Sequence, residues 1–153
     1  MDKKRKTERY KRVIIQIKEL MQETTDPFAR MSTIASILHH KFDYFFWTGF
    51  YRLVNGEITV SCYQGSVACL VLKKYEGVCW AAIKKMKIQI IPDVHKFPGY
   101  IACDSRSVSE IVIPIFKDEE VMAVLDMDSK DLNSFDDVDA KYLEIIVKMI
   151  YTS

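Results

Sequence analysis

Apolar positions in residues 8–23 recur at helical spacing, with Val13, Ile14, Ile17, Leu20 and Met21 forming one stripe. Thr24-Thr25-Asp26-Pro27 closes that helix and opens a second, with Pro27 suited to a first turn. The second helix runs to about Lys41 and carries Met31, Ile34, Ala35 and Leu38 on one face. The pattern then changes. Tyr44 to Val54 is rich in aromatic and β-branched residues and reads as a strand, and Asn55-Gly56 turns it back over Glu57 to Cys62. Glu76 to Met86 predicts a short helix and Ile88 to Ile91 a short strand. Pro92 to Arg106 contains Pro98 and Gly99 and reads as a long loop, a length that usually serves function. Val108 to Phe116 and Val121 to Met127 form a second hairpin. Ser134 to Asp137 resembles a helix-capping start, followed by Val138, Leu143, Ile146, Val147 and Ile150 on a final helix. This order predicts an α+β domain with a central antiparallel sheet flanked by helices.

Composition narrows the class. The 153 residues make one domain, and 49% apolar content supplies one core. A net charge of +1 gives no global pull toward nucleic acid or an anionic membrane, and neither is expected as a partner. Lys3-Lys4-Arg5-Lys6 makes residues 1–7 locally basic, read as a solvated, frayed helix start. No apolar run of membrane-spanning length occurs and no signal-peptide core opens the chain, so a cytoplasmic, reducing location is expected.

Four cysteines stand at 62, 69, 79 and 103. In a reducing compartment they are poor structural staples, and the absence of any C-x-x-C pair disfavours a zinc ribbon. His39 and His40 are adjacent and do not share a helix face, so no metal site is expected from them. Around Asp126 a calcium loop fails, because Lys130 takes a ligand position and the required glycine is missing.

Cys103 follows a Pro-Gly turn in the long loop, where backbone N–H groups can favour the reactive thiolate. Cys69 or Cys79 could close a disulfide with it, provided the Cα atoms come within about 7 Å. Asp126 and Asp128 are two apart on a strand and share a face with Val124. With Glu110 they could hold an ammonium or give a proton to a leaving oxygen. Trp47 and Tyr51 also share a strand face and could wall an apolar or sulfur-bearing group. Each feature has a plainer reading too: inert buried thiols, a solvated strand end, core aromatics.

Taken together these residues resemble the free methionine-(R)-sulfoxide reductases, which are single GAF domains. The likeness rests on Trp47-Thr48-Gly49-Phe50-Tyr51, Gln64-Gly65, Ala68-Cys69, Gly77-Val78-Cys79 and Pro92-Asp93-Val94. It continues through Phe97-Pro98-Gly99, Ile101-Ala102-Cys103-Asp104, Ser107, Ser109-Glu110, Leu125-Asp126 and Asp128-Ser129. The resemblance implies that Cys103 is the nucleophile and that Cys69, the usual partner, or Cys79 resolves it. It implies that Glu110, Asp126 and Asp128 hold the substrate's polar groups and assist departure of the oxygen, while Trp47 and Tyr51 wall its methyl side. The implied substrate is free methionine-(R)-sulfoxide, the implied reductant is thioredoxin, and no metal or organic cofactor is required. A homodimer is expected, with the first helix and residues 142–151 as a possible face. Trp80, Cys62 and Tyr100 depart from the family's pattern, which puts rate and resolving route in question. A GAF ligand-binding or redox-sensing module without turnover is the alternative.

Overall fold

A computed structural model describes residues 1–100 and 102–153; Ile101, in the loop ahead of Cys103, lies outside the described residues. Helices α1 (Lys3–Met21) and α2 (Pro27–Lys41) lead into hairpin β1 (Trp47–Val54) and β2 (Glu57–Gln64). Helix α3 (Gly77–Lys85) and β3 (Gln89–Ile91) follow, then hairpin β4 (Ser109–Lys117) and β5 (Glu120–Ser129), then α4 (Asp137–Val147). The sheet is antiparallel throughout, in the order β2-β1-β5-β4-β3. Both hairpins turn through left-handed pairs: Asn55 and Gly56 at φ 51° and 79°, Asp118 and Glu119 at φ 51° and 68°. Such turns match the right-handed twist of the strands they join.

Strand alternation sends two sets of side chains to two faces. Phe50, Ile111, Ile113, Leu125 and Met127 pack under α1, α2 and α4 in the main core. Trp47, Tyr51, Val112 and Val124 point to the opposite face, where α3 and the loops cover them with Val78, Cys79 and Ala82. The first β1 residue is Trp47 rather than Tyr44, because Tyr44 and Phe45 belong to an aromatic cluster with Phe42 and Phe135.

Helix α1 begins inside the basic head that the sequence reads as frayed. Asp2 caps it by accepting the Arg5 N–H at 2.9 Å. Lys6 is only 2% exposed, and its ammonium donates to Asp139 Oδ2 at 2.6 Å, Asp136 Oδ2 at 3.1 Å and the Ser134 carbonyl at 2.8 Å. Tyr10 and Tyr44 hydroxyls complete the shell on Asp139 Oδ1. Lys6 is thus the counter-charge to the carboxylates that cap α4. Most of the apolar stripes of α1 and of residues 142–151 is consumed by the chain's own core, with Leu20 and Ile145 left exposed.

Candidate active site

The site is a set of rows across the sheet. Cross-strand register places Asp128 between Trp47 and Glu110, and Asp126 between Gly49 and Val112. Tyr51 stands beside Val124 in the next row. The even spacing along each strand and the register between strands gather Trp47, Tyr51, Glu110, Asp126 and Asp128 on one face; the sequence predicts the shared faces of Trp47 with Tyr51 and of Asp126 with Asp128. Gly49 has no side chain to obstruct this face: a Cβ there would lie 2.4 Å from both the Trp47 ring and Tyr63 Cβ. Its absence lets the indole lie over the sheet, stacked on Tyr51 at 5.7 Å and Tyr63 at 5.3 Å. A register shift in the β1–β2 pairing falls at this point, between Gly49 and Tyr51.

Two loops close the face. One carries Cys69 and the other Cys103, and the two sulfurs are bonded, with Cα atoms 5.6 Å apart. Cys79 is free and buried on α3. Cys62 is free, half-buried and outside the cavity lining; its Sγ lies 3.5 Å from the Phe28 carbonyl oxygen. Trp47 Nε1 donates to the Ser66 carbonyl at 3.0 Å, and Ser66 Oγ donates to Asp104 Oδ2 at 2.7 Å. Arg106 clamps the same carboxylate through Nε, Nη2 and its backbone N–H. This fastening of the two loops has no signature in single-sequence spacing, because Ser66 and Asp104 are 38 residues apart. The cavity between these loops and the sheet measures about 40 Å³ and is partly open to solvent.

Electrostatics inside the cavity are unusual. Burial raises Glu110 well above the ordinary carboxyl range, and the charges of Asp126 and Asp128 push it further. Asp128 is raised too, by burial and by the charges of Asp126 and Asp104. Burial lifts Asp126 to about 6, while proton donation from Glu110 and Cys79 holds it there. One oxygen of Asp126 is buried without a partner. The trio thus carries protons near neutrality and keeps an open acceptor. Burial and the three carboxylates push the Cys79 thiol well up, so it stays un-ionised. Tyr51 and Tyr100 hydroxyls are raised by burial and the same charges, and remain protonated.

Cys79, Glu110 and Asp126 bring one sulfur and two carboxylates within 4.8 Å of one another. Those atoms could take a divalent cation, and they suit a ligand ammonium equally well. Tyr100, one of the departures from the family's pattern, lines the cavity. Trp80 lies outside it, against Tyr75 at 5.1 Å, and does not separate Cys79 from the carboxylates.

No protein-family model matches the chain. It is similar to GAF domain-containing protein A of Dictyostelium discoideum, 42% identical over 95% of this chain and 92% of that one. It is similar to a free methionine-R-sulfoxide reductase of Escherichia coli, 34% identical over 95% of this chain and 88% of that one. Its fold superimposes on free methionine-R-sulfoxide reductase from Neisseria meningitidis, solved in complex with its substrate. The TM-score is 0.89 at 37% identity, covering 93% of this chain and 86% of that one. The fold is that of a GAF domain with a cysteine pair set against buried carboxylates. The chain belongs to the free methionine-R-sulfoxide reductase family. No helix among the described residues is long and apolar enough to cross a membrane.

Proposed function

We propose that this chain reduces free L-methionine-(R)-sulfoxide to L-methionine. The observation that carries the reading is the bonding of Cys103 to Cys69 at the mouth of a cavity lined by Glu110, Asp126 and Asp128. In the reduced protein the Cys103 thiolate attacks the sulfoxide sulfur. A protonated carboxyl of the buried trio gives its proton to the departing oxygen, which a sulfoxide needs to leave. The attack joins the two sulfurs as the S–O bond breaks and hydroxide is released; hydroxide then attacks the Cys103 sulfur, methionine leaves with the electron pair of the S–S bond, and Cys103 is left as a sulfenic acid. Cys69 thiol then attacks that sulfur, water leaves, and the disulfide forms. Thioredoxin, a dithiol protein, returns both cysteines to thiols and is itself oxidised.

The remaining side chains fit these steps. An ionised carboxyl of the trio attracts the substrate ammonium, with Asp126 the group that charges first as pH rises. Trp47 and Tyr51 supply an aromatic wall for the methylthio end. Cys69 rather than Cys79 is the resolving residue in this reading: its loop already meets Cys103, whereas the Cys79 thiol is buried and un-ionised. No step calls for a metal or organic cofactor. We place the enzyme in the cytoplasm as a homodimer, with exposed Ile15 of α1 a residue for the interface.

The test is consumption of free methionine-(R)-sulfoxide with thioredoxin, thioredoxin reductase and NADPH, the (S) epimer serving as control. Loss of the (R) epimer alone is the expected outcome. No turnover with either thioredoxin or dithiothreitol would leave the reading of a GAF ligand-binding or redox-sensing module.

A further inference from the structure

We propose that the apolar, lysine-rimmed surface beside the Cys69–Cys103 disulfide is the docking face for the dithiol protein that reduces it. The inference rests on thioredoxin-dependent recycling as read above. It adds where that partner sits and what chemistry recognises it.

Cys103 is exposed and Cys69 half-buried, so a reductant reaches the pair from outside. The segment around Cys69 is unusually apolar for an exposed one. Val67 is 84% exposed, Leu70 75%, Val71 47% and Tyr75 75%. Looseness does not account for this, because the segment's backbone is bonded to β2. Val60 N–H donates to the Leu70 carbonyl and Leu72 N–H to the Ile58 carbonyl, each at 2.9 Å. Leu72 turns inward to the cavity while Leu70 and Val71 stay outside. Tyr75 is held at φ 65°, a conformation unfavourable for a bulky side chain, and its ring remains in solvent.

Behind Tyr75 lies a groove of about 600 Å³, walled by Trp80, Phe97 and Pro98. Glu76 and Gly77 line both this groove and the site cavity, so the two adjoin. Lys84 and Lys85 rim the groove, and Lys73 and Lys74 lie in the adjoining loop. Glu76 neutralises only Lys73, through a 3.4 Å ion pair. The surface is therefore apolar at its centre and positive at its edge. It fits a partner with apolar surface around its thiols and negative charge beyond. A second copy of this chain would bring lysines against lysines and does not fit.

The chemistry on docking is an exchange. A thiolate of the partner attacks one sulfur of the pair, the Cys69–Cys103 bond breaks, and a mixed disulfide forms. The partner's second thiol attacks that bond and leaves as the partner's own disulfide. Two electrons and two protons have passed to Cys69 and Cys103. A small dithiol such as dithiothreitol performs the same exchange without docking.

That difference supplies the test. Steady-state turnover is measured with thioredoxin varied, and separately with dithiothreitol varied, for wild type and the double variant Leu70→Ser/Tyr75→Ser. We expect the KM for thioredoxin to rise about tenfold or more in the variant. Dithiothreitol turnover should stay within about twofold, since both side chains are exposed and outside the cavity. Added salt should raise the wild-type KM for thioredoxin, and Lys84→Glu/Lys85→Glu should raise it at low salt. Unchanged thioredoxin KM values in both variants would overturn the docking face while leaving the recycling reading intact. Wild type turning over with dithiothreitol but never with thioredoxin would overturn the recycling reading, and the docking face with it.

Discussion

Ser66 Oγ donates to Asp104 Oδ2 at 2.7 Å and so joins the loop of Cys69 to the loop of Cys103 by a bond other than the disulfide. Asp104 directly follows Cys103, and Ser66 precedes Cys69 by three residues. The bond holds Cys69 close to Cys103, where the proposed mechanism forms a sulfenic acid. Ser66→Ala removes it and leaves the Asp104–Arg106 clamp in place. We expect disulfide formation after a single turnover to slow about three- to tenfold. Thiol trapping followed by mass spectrometry would read the rate. A wild-type rate in the variant would mean that other contacts align the loops.

Burial of the carboxylate cluster opposes stability at neutral pH. Asp126 titrates at about 6, above the unfolded value of about 4. Between those pH values the folded chain holds a proton that the unfolded chain has lost. Stability from this group therefore falls as pH rises through that window and stays lower above it. Asp126→Asn removes the ionisation. The variant should be more stable than wild type at neutral pH, by on the order of 1–3 kcal/mol, with the gain vanishing below about pH 4. Its KM should rise, because the proposed function pairs the substrate ammonium with this carboxylate. Thermal melts at pH 4 and pH 8 beside steady-state kinetics check both halves, and a gain that persists at pH 4 would reject the cause.

Much of the site was legible because strand geometry is local. Once Trp47–Tyr51 and Asp126–Asp128 read as strands, their same-face placement followed from a period of two. Glu110 joined them because β4 and β5 form a hairpin. The choice between Cys69 and Cys79 was not legible, since both spacings permit a bond and only the loop arrangement brings Cys69 to Cys103. Lys6 was misread for a related reason. Among Lys3-Lys4-Arg5-Lys6 nothing marks one lysine as buried, and its partner Asp139 is 133 residues away. Tyr44 read as strand because aromatic content alone does not separate a strand from a packed turn.

Lys6 yields a stability prediction. Its replacement by Met keeps the apolar stem and removes the ammonium, leaving Asp139 buried with only the two tyrosine hydroxyls and its backbone contact. A buried pair broken from one side costs about 3–5 kcal/mol. Denaturant unfolding should show that loss. The KM for sulfoxide should hold near wild type in the folded protein, because Lys6 is not among the residues lining the cavity.

Gly49 tests the aromatic wall. Gly49→Ala places a methyl group 2.4 Å from the Trp47 ring and from Tyr63 Cβ, distances that force movement. The Tyr63 contact is at the side chain's first carbon, which moves only with the backbone, so the β1–β2 backbone must shift as well as the indole. We expect about 1–3 kcal/mol of lost stability and a raised KM, since in the proposed function the displaced ring walls the substrate's methyl end. Tryptophan fluorescence and product binding would report the displacement, and unaltered values for both would show that Trp47 keeps its place.

The two candidate resolving cysteines separate cleanly by substitution. Cys69→Ser leaves Cys103 without the partner its loop meets. Such a protein should complete one round of sulfoxide reduction and then stall as a sulfenic acid, losing about 90% or more of its thioredoxin-dependent turnover. Cys79→Ser should retain most of that turnover, because the Cys79 thiol is un-ionised and already engaged with Asp126. Its effect should fall on pH dependence instead: with a hydroxyl beside Asp126, the low-pH limb of kcat/KM should shift. A dimedone-type trap for sulfenic acid, applied after one equivalent of substrate, distinguishes the variants, with accumulation expected in Cys69→Ser alone. Accumulation in Cys79→Ser instead would assign resolution to α3 and require the helix to move toward Cys103 during each cycle.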